Sequence, residues 1–307
     1  MAVPRSKRIK RALRLALLQL ALAALSLLPR GAVLPLGRML GGLAHAVLRG
    51  ERRKALASLA TAFPEKSEAE RLAIVRAMFV QLAQSALELA IGDKLDPLLE
   101  EYVELDAASR ATYDRALQSG TGAVFVTAHV GNWELLARRI SRLPYPCATI
   151  VKESNDPRLS AFIEKVRARG QLRTIWRGAP GAAKAMLRLL KQGGALGLLI
   201  DQDTKVQGVF VDFFGKQAFT PRAAADLALR TGAAPLVGFI HRKPEGGHRL
   251  EISALALPEG RGEEAVVELT QRYTRAIEET IRRAPHEWVW MHRRWKTRPE
   301  AESPQKA

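Results

Sequence analysis

"FVTAHVGNWELL", running from Phe125 to Leu136, starts as a buried strand and ends as the first turn of a helix. His129, Gly131 and Asn132 fall at the junction, and Glu134 follows the histidine by five residues. Strand-into-helix units build open α/β sheets, whose ligand sites lie at the carboxyl ends of strands. The same alternation continues along the chain. "GAVFVTA" (122–128), "CATIVK" (147–152), "ALGLLID" (195–201) and "PLVGFIH" (235–241) read as buried strands. Residues 157–169, 180–192 and 220–231 read as the helices between them. "RLEISAL" (249–255) is a further strand, and 263–283 is an amphipathic helix with Val266, Leu269, Tyr273, Ile277 and Ile281 on one stripe. The expected fold is α/β: a mostly parallel central sheet with helices on both faces.

Upstream, Arg52 to Ala90 is helical in pattern. Ser67 followed by Glu70 is a capping box, after which Ile74, Met78, Leu82, Ala86 and Leu89 recur at helical spacing. The N-terminus differs. Arg5, Lys7, Arg8, Lys10, Arg11 and Arg14 precede "LALLQLALAALSLL" (Leu15–Leu28), which stops at Pro29 and Arg30. This run is shorter than the ~20 residues of a full membrane span, and no small-x-small cleavage site follows it. It reads as an N-terminal membrane-associated helix, spanning or lying in the interface; a signal peptide and a core helix are the rival readings. A spanning helix with this basic flank would put the main domain across the membrane from the cytosol, so shallow insertion is the expectation. Gly31 to Leu48, apolar but broken by Pro35 and four glycines, extends the membrane contact. The chain thus divides into a basic, hydrophobic anchor (1–50), one main domain (51–299) and a disordered polar tail (300–307).

Across 307 residues, 48 Lys and Arg oppose 31 Asp and Glu, a formal net charge of +17. Such a balance favours anionic partners. The basic residues concentrate at the two ends and no binding motif with interleaved aromatics occurs, so nucleic acid is not expected. The single cysteine, Cys147, reads as a small buried hydrophobe and supports neither an internal disulfide nor a Cys-based zinc cluster. No Gly-x-Ser-x-Gly elbow and no His-Glu-x-x-His is present. Gly120 and Gly122 precede a strand, with Phe125 at the third fingerprint position, which argues against a dinucleotide site.

Three polar segments fall at strand ends: His129 to Glu134, Lys152-Glu153-Ser154-Asn155, and Asp201-Gln202-Asp203. They would bring a histidine and several carboxylates and amides to one face, as general-base chemistry requires. His129 and Glu134 would point about 140° apart if both were helical, and touch only if His129 sits in the turn before the helix. Asp201 is the alternative carboxylate. His45, His241, His248, His286 and His292 read as structural. Trp288, Trp290 and Trp295 read as core or interface belt. "HRRWKTR" (292–298) is either a solvated basic end or a holder of anionic headgroups.

"HVGNWELL" resembles the His-x4-Asp/Glu block of glycerolipid-type acyltransferases. More narrowly, it is similar to the bacterial lipid A late acyltransferases (lauroyl and myristoyl transferases) and their phosphatidylinositol mannoside acyltransferase relatives. "TAFPEKS" (61–67), "DQDTKVQGVFVDFFGKQAFTP" (201–221) and "WVWMHRRWKTRPE" (288–300) resemble further family blocks, in the expected order over nearly the whole chain. The resemblance implies a membrane-bound O-acyltransferase. The hydroxyl of a lipid A precursor or related glycolipid attacks an acyl thioester of acyl carrier protein or coenzyme A. That thioester is a co-substrate, and no cofactor or metal is implied. His129 is the implied general base, with Glu134 or Asp201 as its partner. Backbone N–H groups at Gly131 and Asn132 would meet the oxyanion. Lys152, Arg167, Gln202 and Asp203 are candidates for binding substrate. The implied location is the bacterial inner membrane, with the catalytic domain facing the cytoplasm. One departure stands out: Val151-Lys152-Glu153 replaces the Tyr-Arg-Pro of many lipid A enzymes, so a point charge replaces a bidentate fork. The alternatives are another lipid acceptor (an ornithine lipid, a mannoside or a specialised metabolite) and a non-catalytic basic membrane adaptor.

Overall fold

The structure is a computed structural model that describes residues 5–154 and 156–299. The expected tail and Asn155 lie outside the described residues. Helices α1 (Arg5–Ser26), α2 (Val33–Val47), α3 (Arg49–Ala62) and α4 (Glu68–Ala90) come first, then single turns α5 (Gly92–Leu95) and α6 (Leu99–Tyr102). The alternating region is β1 (Val103–Leu105), α7 (Ala107–Gln118), β2 (Ala123–Thr127), α8 (Trp133–Ile140), β3 (Cys147–Lys152), α9 (Pro157–Arg169), β4 (Thr174–Arg177), α10 (Ala182–Lys191) and β5 (Ala195–Leu199). A hairpin of β6 (Gly208–Phe213) and β7 (Lys216–Pro221) follows, then α11 (Ala223–Thr231), β8 (Ala234–Arg242), β9 (His248–Ala254) and α12 (Glu263–Arg283).

Seven strands form one sheet in the order β1-β9-β8-β2-β5-β3-β4. All neighbours are parallel except β8 and β9. The α/β fold with a mostly parallel sheet is therefore as expected. β2 is central, with Ala123 opposite Ala195 of β5 and Ala234 of β8. Its five residues are all buried, because helices cover both faces and successive side chains alternate between them. Val124 and Val126 join one core with α10, α11, α12 and the inner faces of α3 and α4. Ala123 and Phe125 join the other, with Leu135 and Leu136 of α8 and Tyr113 of α7. The α12 stripe from Val266 to Ile281 is buried at all five positions named above.

Some sequence expectations needed correction. β1, β4 and the β6–β7 hairpin were not read as strands; β1 and β4 have three and four residues, too few to show a period. The helix expected from residue 220 starts at Ala223, because Phe219–Pro221 pair with Gly208–Phe210 in the hairpin. The helix expected from residue 180 starts at Ala182, after Gly181 at φ 79°. On α4 the stripe is rotated from the expected one. Val75, Met78 and Phe79 are buried with the polar Gln81, Gln84, Ser85 and Glu88, whereas Ala86 is exposed. The reason is that α2 covers a second side of α4.

That packing depends on two glycines. Val33, Gly37 and Gly41 are the buried residues of α2. A Cβ on Gly41 would lie 2.4 Å from Val80 Cα, and one on Gly37 2.4 Å from Gln84 Cγ. The stretch 31–48 is thus partly built into the main domain, with only its other side open. By length and apolarity α4 could itself cross a membrane, although 44% of its apolar window is buried here. The segments Arg11–Ser26 and Arg30–Val47 together pass the same test with a 114° bend between them.

The polar face of α4 is organised around one carboxylate. The Glu88 carboxylate is fully buried. It accepts hydrogen bonds from both terminal nitrogens of Arg242 (2.5 and 2.9 Å), from Tyr102 Oη (2.7 Å), from Asn132 Nδ2 (2.8 Å) and from His248 Nε2 at 3.1 Å. One carboxylate ties α4 to β8, β9 and the start of α8. Burial alone would raise its pKa, but His248 and Arg242 outweigh burial and hold it well below the ordinary carboxylate range.

Two outcomes are expected from thermal and denaturant unfolding. Gly41→Leu should overpack the α2–α4 contact and cost about 1–3 kcal/mol. Glu88→Gln should cost about 3–5 kcal/mol, since Arg242 stays buried without its counter-charge. The native Glu88 pKa is depressed, so its contribution is complete above the unfolded carboxylate value of about 4.3 and is lost as pH falls toward the folded value. Stability of the variant should therefore depend less on pH in the acid range; an unchanged acid dependence would refute this account.

Candidate active site

β2 ends at Thr127, and the chain then crosses from the sheet to α8 in five residues, Ala128 to Asn132. Three local features shape this crossing. Gly131 has φ 60°, and a Cβ there would lie 2.0 Å from the Ile240 carbonyl oxygen, so only glycine fits. Asn132 caps α8, its Oδ1 accepting from Leu135 N at 3.2 Å. The C-terminal segment pairs with the crossing: Gly131 N donates to Glu287 O (3.0 Å), Val289 N donates to His129 O (3.2 Å), and Val130 bridges to Trp288.

His129 is fixed by Asp201, which follows β5. Nδ1–H of the imidazole donates to Asp201 Oδ1 at 2.9 Å, and the His129 backbone N–H donates to Oδ2, also at 2.9 Å. Trp288 Nε1 supplies a third donor to Oδ2 at 2.8 Å. Asp201 is 1% exposed. Burial pushes its pKa up, but the histidine and these donors reverse the sign and keep it ionised. Burial likewise disfavours imidazolium at His129. The Asp201 charge and hydrogen bond, helped by the more distant Glu134, outweigh that, so its pKa is raised.

This arrangement fixes the tautomer. With the proton on Nδ1, Nε2 carries the lone pair. Gln202 Nε2 lies 3.1 Å from both ring nitrogens. A position equidistant from both is off the axis of the Nε2 lone pair. The same amide nitrogen lies 2.6 Å from His292 Nε2 and can donate to it. Burial, and next the proximity of His129, lower the His292 pKa.

The remaining sequence candidates separate clearly. Glu134, in the first turn of α8, forms a two-bond ion pair with Arg167, of which the Nε–Oε2 bond is 3.2 Å. It is therefore not the carboxylate hydrogen-bonded to His129. Arg167 also reaches Thr149 Oγ1 at 3.4 Å. Lys152, at the end of β3, lines the cleft in front of His129 with Gln202, Arg167 and Glu134. Asn132 and Asp203 are not placed as substrate-binding residues. Asn132 is 3% exposed and both ends of its amide are occupied by Leu135 and Glu88. Asp203 accepts from Thr297 N (2.6 Å) and Thr297 Oγ1 (3.0 Å), holding the C-terminal segment. The Gly131 N–H, expected as an oxyanion donor, is already bonded to Glu287.

The cleft has a volume of about 560 Å³. Ile150, Ile175, Met186, Leu198 and Ile200 line its interior, and Lys152, Arg167, Arg177 and Arg222 supply cations. A narrower apolar hollow between β2, β3, β5 and α8 shares Trp133, Glu134 and Arg167 with it. Sequence reasoning missed His292, Trp288 and Arg177. Trp288 and Trp290 are fully buried, hence core. His292 was read as structural, yet its ring centroid is 5.5 Å from that of His129. The signal available was its place in "WVWMHRRWKTRPE", a block already singled out.

Known proteins match this chain along most of its length. The family model described as bacterial lipid A biosynthesis acyltransferase matches residues 4–297. The lipid A biosynthesis palmitoleoyltransferase of Escherichia coli (strain K12) is 28% identical over 281 residues, covering 87% of this chain and 86% of that protein. The lipid A biosynthesis lauroyltransferase of the same organism is 28% identical over 280 residues, 89% and 88% of the two chains. A phosphatidylinositol mannoside acyltransferase of Mycobacterium tuberculosis (strain CDC 1551 / Oshkosh) is 26% identical over 184 residues, 59% and 57%. A match over nearly the full length, on a chain whose sheet carries this histidine, places the protein among acyltransferases: it belongs to the bacterial lipid A biosynthesis acyltransferase family.

Proposed function

We propose that the protein moves a fatty acyl chain from a thioester donor to a hydroxyl of lipid A precursor or a related glycolipid, working at a membrane surface. The observation that carries this reading is the His129–Asp201 pair at the mouth of a cleft lined by apolar side chains; with Nδ1 bonded to Asp201, Nε2 of the neutral ring is the base. Nε2 takes the proton from the acceptor hydroxyl as its oxygen attacks the thioester carbonyl. Asp201 stabilises the imidazolium that forms. The C–S bond then breaks, and the departing thiolate takes the proton from His129. Acyl carrier protein and coenzyme A are the candidate thioesters. Gln202, Lys152 and Arg177 are the donors in reach of the cleft for the developing negative charge. No covalent acyl-enzyme is required.

The membrane part of the proposal rests on α1 and α2. Leu13, Leu17 and Leu20 on α1 are 56–68% exposed. On α2, Met39, Leu43 and Val47 are 59–65% exposed, about 200° round the helix from the buried row of Gly37 and Gly41. One row of α2 faces the domain, and the other presents hydrocarbon outward. Such exposed apolar rows beside a basic N-terminus suit the interface of an anionic leaflet. In a bacterium with that leaflet on the cytoplasmic side, the site would face the cytoplasm. A second reading changes only the acceptor, to a mannoside or another lipid. It is favoured by the similarity to the mannoside acyltransferase.

The direct test is expression of the chain in a Gram-negative host lacking its late acyltransferases, with extracted lipids weighed by mass spectrometry. Lipid A heavier by one acyl chain is expected, and His129→Ala should abolish it. An equal gain with the alanine variant would end the general-base reading. Asp201→Asn should lower kcat by about 10²-fold or more. The base must be neutral, so wild-type activity should fall as pH drops through a His129 pKa above the ordinary value of about 6.5. The asparagine variant should shift that acid limb to lower pH; a limb that stays in place would exclude the dyad. Met186→Trp should fill the cleft interior and shift product toward shorter acyl chains, read from the same spectra.

A further inference from the structure

Behind His292 lies a second cleft, of about 910 Å³, between α3, the β6–β7 turn and the C-terminal segment. Arg53, Lys54, Lys216, Arg293, Lys296 and Arg298 line it, and no Asp or Glu does. Some cations elsewhere in the chain face carboxylates, Arg138 with Asp93 and Asp96 and Arg222 with Asp226 and Glu263; what sets this cleft apart is that several cations share one concave wall with no acid in it. Here Lys54 has Glu51 at 2.7 Å, and among the described residues the other five form no ion pair. Two buried donors in the same wall, Arg294 Nε and Trp295 Nε1, also have no hydrogen-bond partner. Cations without carboxylates on a concave wall call for an anion. A concave site of one sign also concentrates its field.

The cleft is close to the reacting histidine. Ser58, on its wall, donates to the His292 carbonyl at 3.3 Å. His292 meets Gln202, and Gln202 meets His129. Two side chains thus separate this basic cleft from the Nε2 that faces the apolar one. The reaction proposed above needs two substrates, and the two clefts differ: the first has an apolar interior, the second a row of cations with no carboxylate among its lining. A hydrocarbon tail suits the first. Several phosphate oxygens, each taking Arg and Lys donors, suit the second.

We propose that this basic cleft binds phosphate esters carried by one of the two substrates, holding that substrate while its reacting group reaches His129. The proposal rests on the acyl-transfer reading for its purpose, though not for the binding itself. Phosphate could arrive on a glycolipid headgroup or on a coenzyme A thioester. The test titrates two soluble probes, a bisphosphorylated disaccharide without acyl chains and coenzyme A, against the full chain in detergent by calorimetry. At least one should bind, more weakly as salt rises. Arg53→Gln with Arg298→Gln should weaken that binding by about tenfold or more, whereas Arg53→Lys with Arg298→Lys keeps most of it. Binding of the disaccharide assigns the cleft to the acceptor, and binding of coenzyme A assigns it to the donor. If neither binds, or if the Gln variant binds like wild type, the proposal is wrong. It is equally wrong if both fail while carrier protein lacking its prosthetic group binds and is lost in the Gln variant. His129→Ala should leave binding intact. Acyl transfer surviving in that variant would overturn the reaction and leave the phosphate site standing.

Discussion

The site depends on one buried carboxylate. Asp201 has lost its water and takes three hydrogen bonds in return, two from His129 and one from Trp288. An ionised group in such a place would be very costly without them. Each donor comes with a segment attached: the crossing after β2 and the strip of chain after α12. Asp201 itself follows β5, which pairs with β2 over five residues. The ladder therefore sets the separation of histidine and carboxylate before any side chain is placed. The tautomer of His129 and the direction of its lone pair follow from that.

A second buried carboxylate performs the same service one layer away. Glu88 holds Arg242 and His248 on the sheet, and through Asn132 it grips the start of α8. Asn132 stands three residues after His129. The crossing is thus held by Asp201 at one end and by the Glu88 cluster at the other, with Glu287 bonded to its middle at Gly131. Such directional polar contacts add specificity that apolar packing does not.

Much of this was legible in the sequence where it was written locally. The strand-to-helix units, the capping box at Ser67 and the α12 stripe each span a few turns, and their periods are visible. The histidine and Asp201 were both visible as strand-end residues. Their pairing was not, because which strands are neighbours depends on packing across the whole sheet, and 72 residues separate the partners. For the same reason Glu134 stood level with Asp201 until Arg167, 33 residues away, was found beside it. Glu88 and His248 are 160 residues apart, and nothing local distinguishes that glutamate from the others on α4. The Asn132 side chain shows the limit of local reading. A helix cap and a substrate amide have the same sequence signature, and only burial separates them.

The strip of chain from Glu287 to Thr297 follows every strand of the sheet, yet it supplies Trp288 to Asp201, His292 to Gln202 and Thr297 to Asp203. On a ribosome, the helices with hydrocarbon on their outer rows emerge before the sheet, and the strip emerges after it. The sheet can be complete while His129 still lacks the lining that seats it. The seating of His129 therefore waits until translation has carried this strip clear, well after α1 and α2 have emerged.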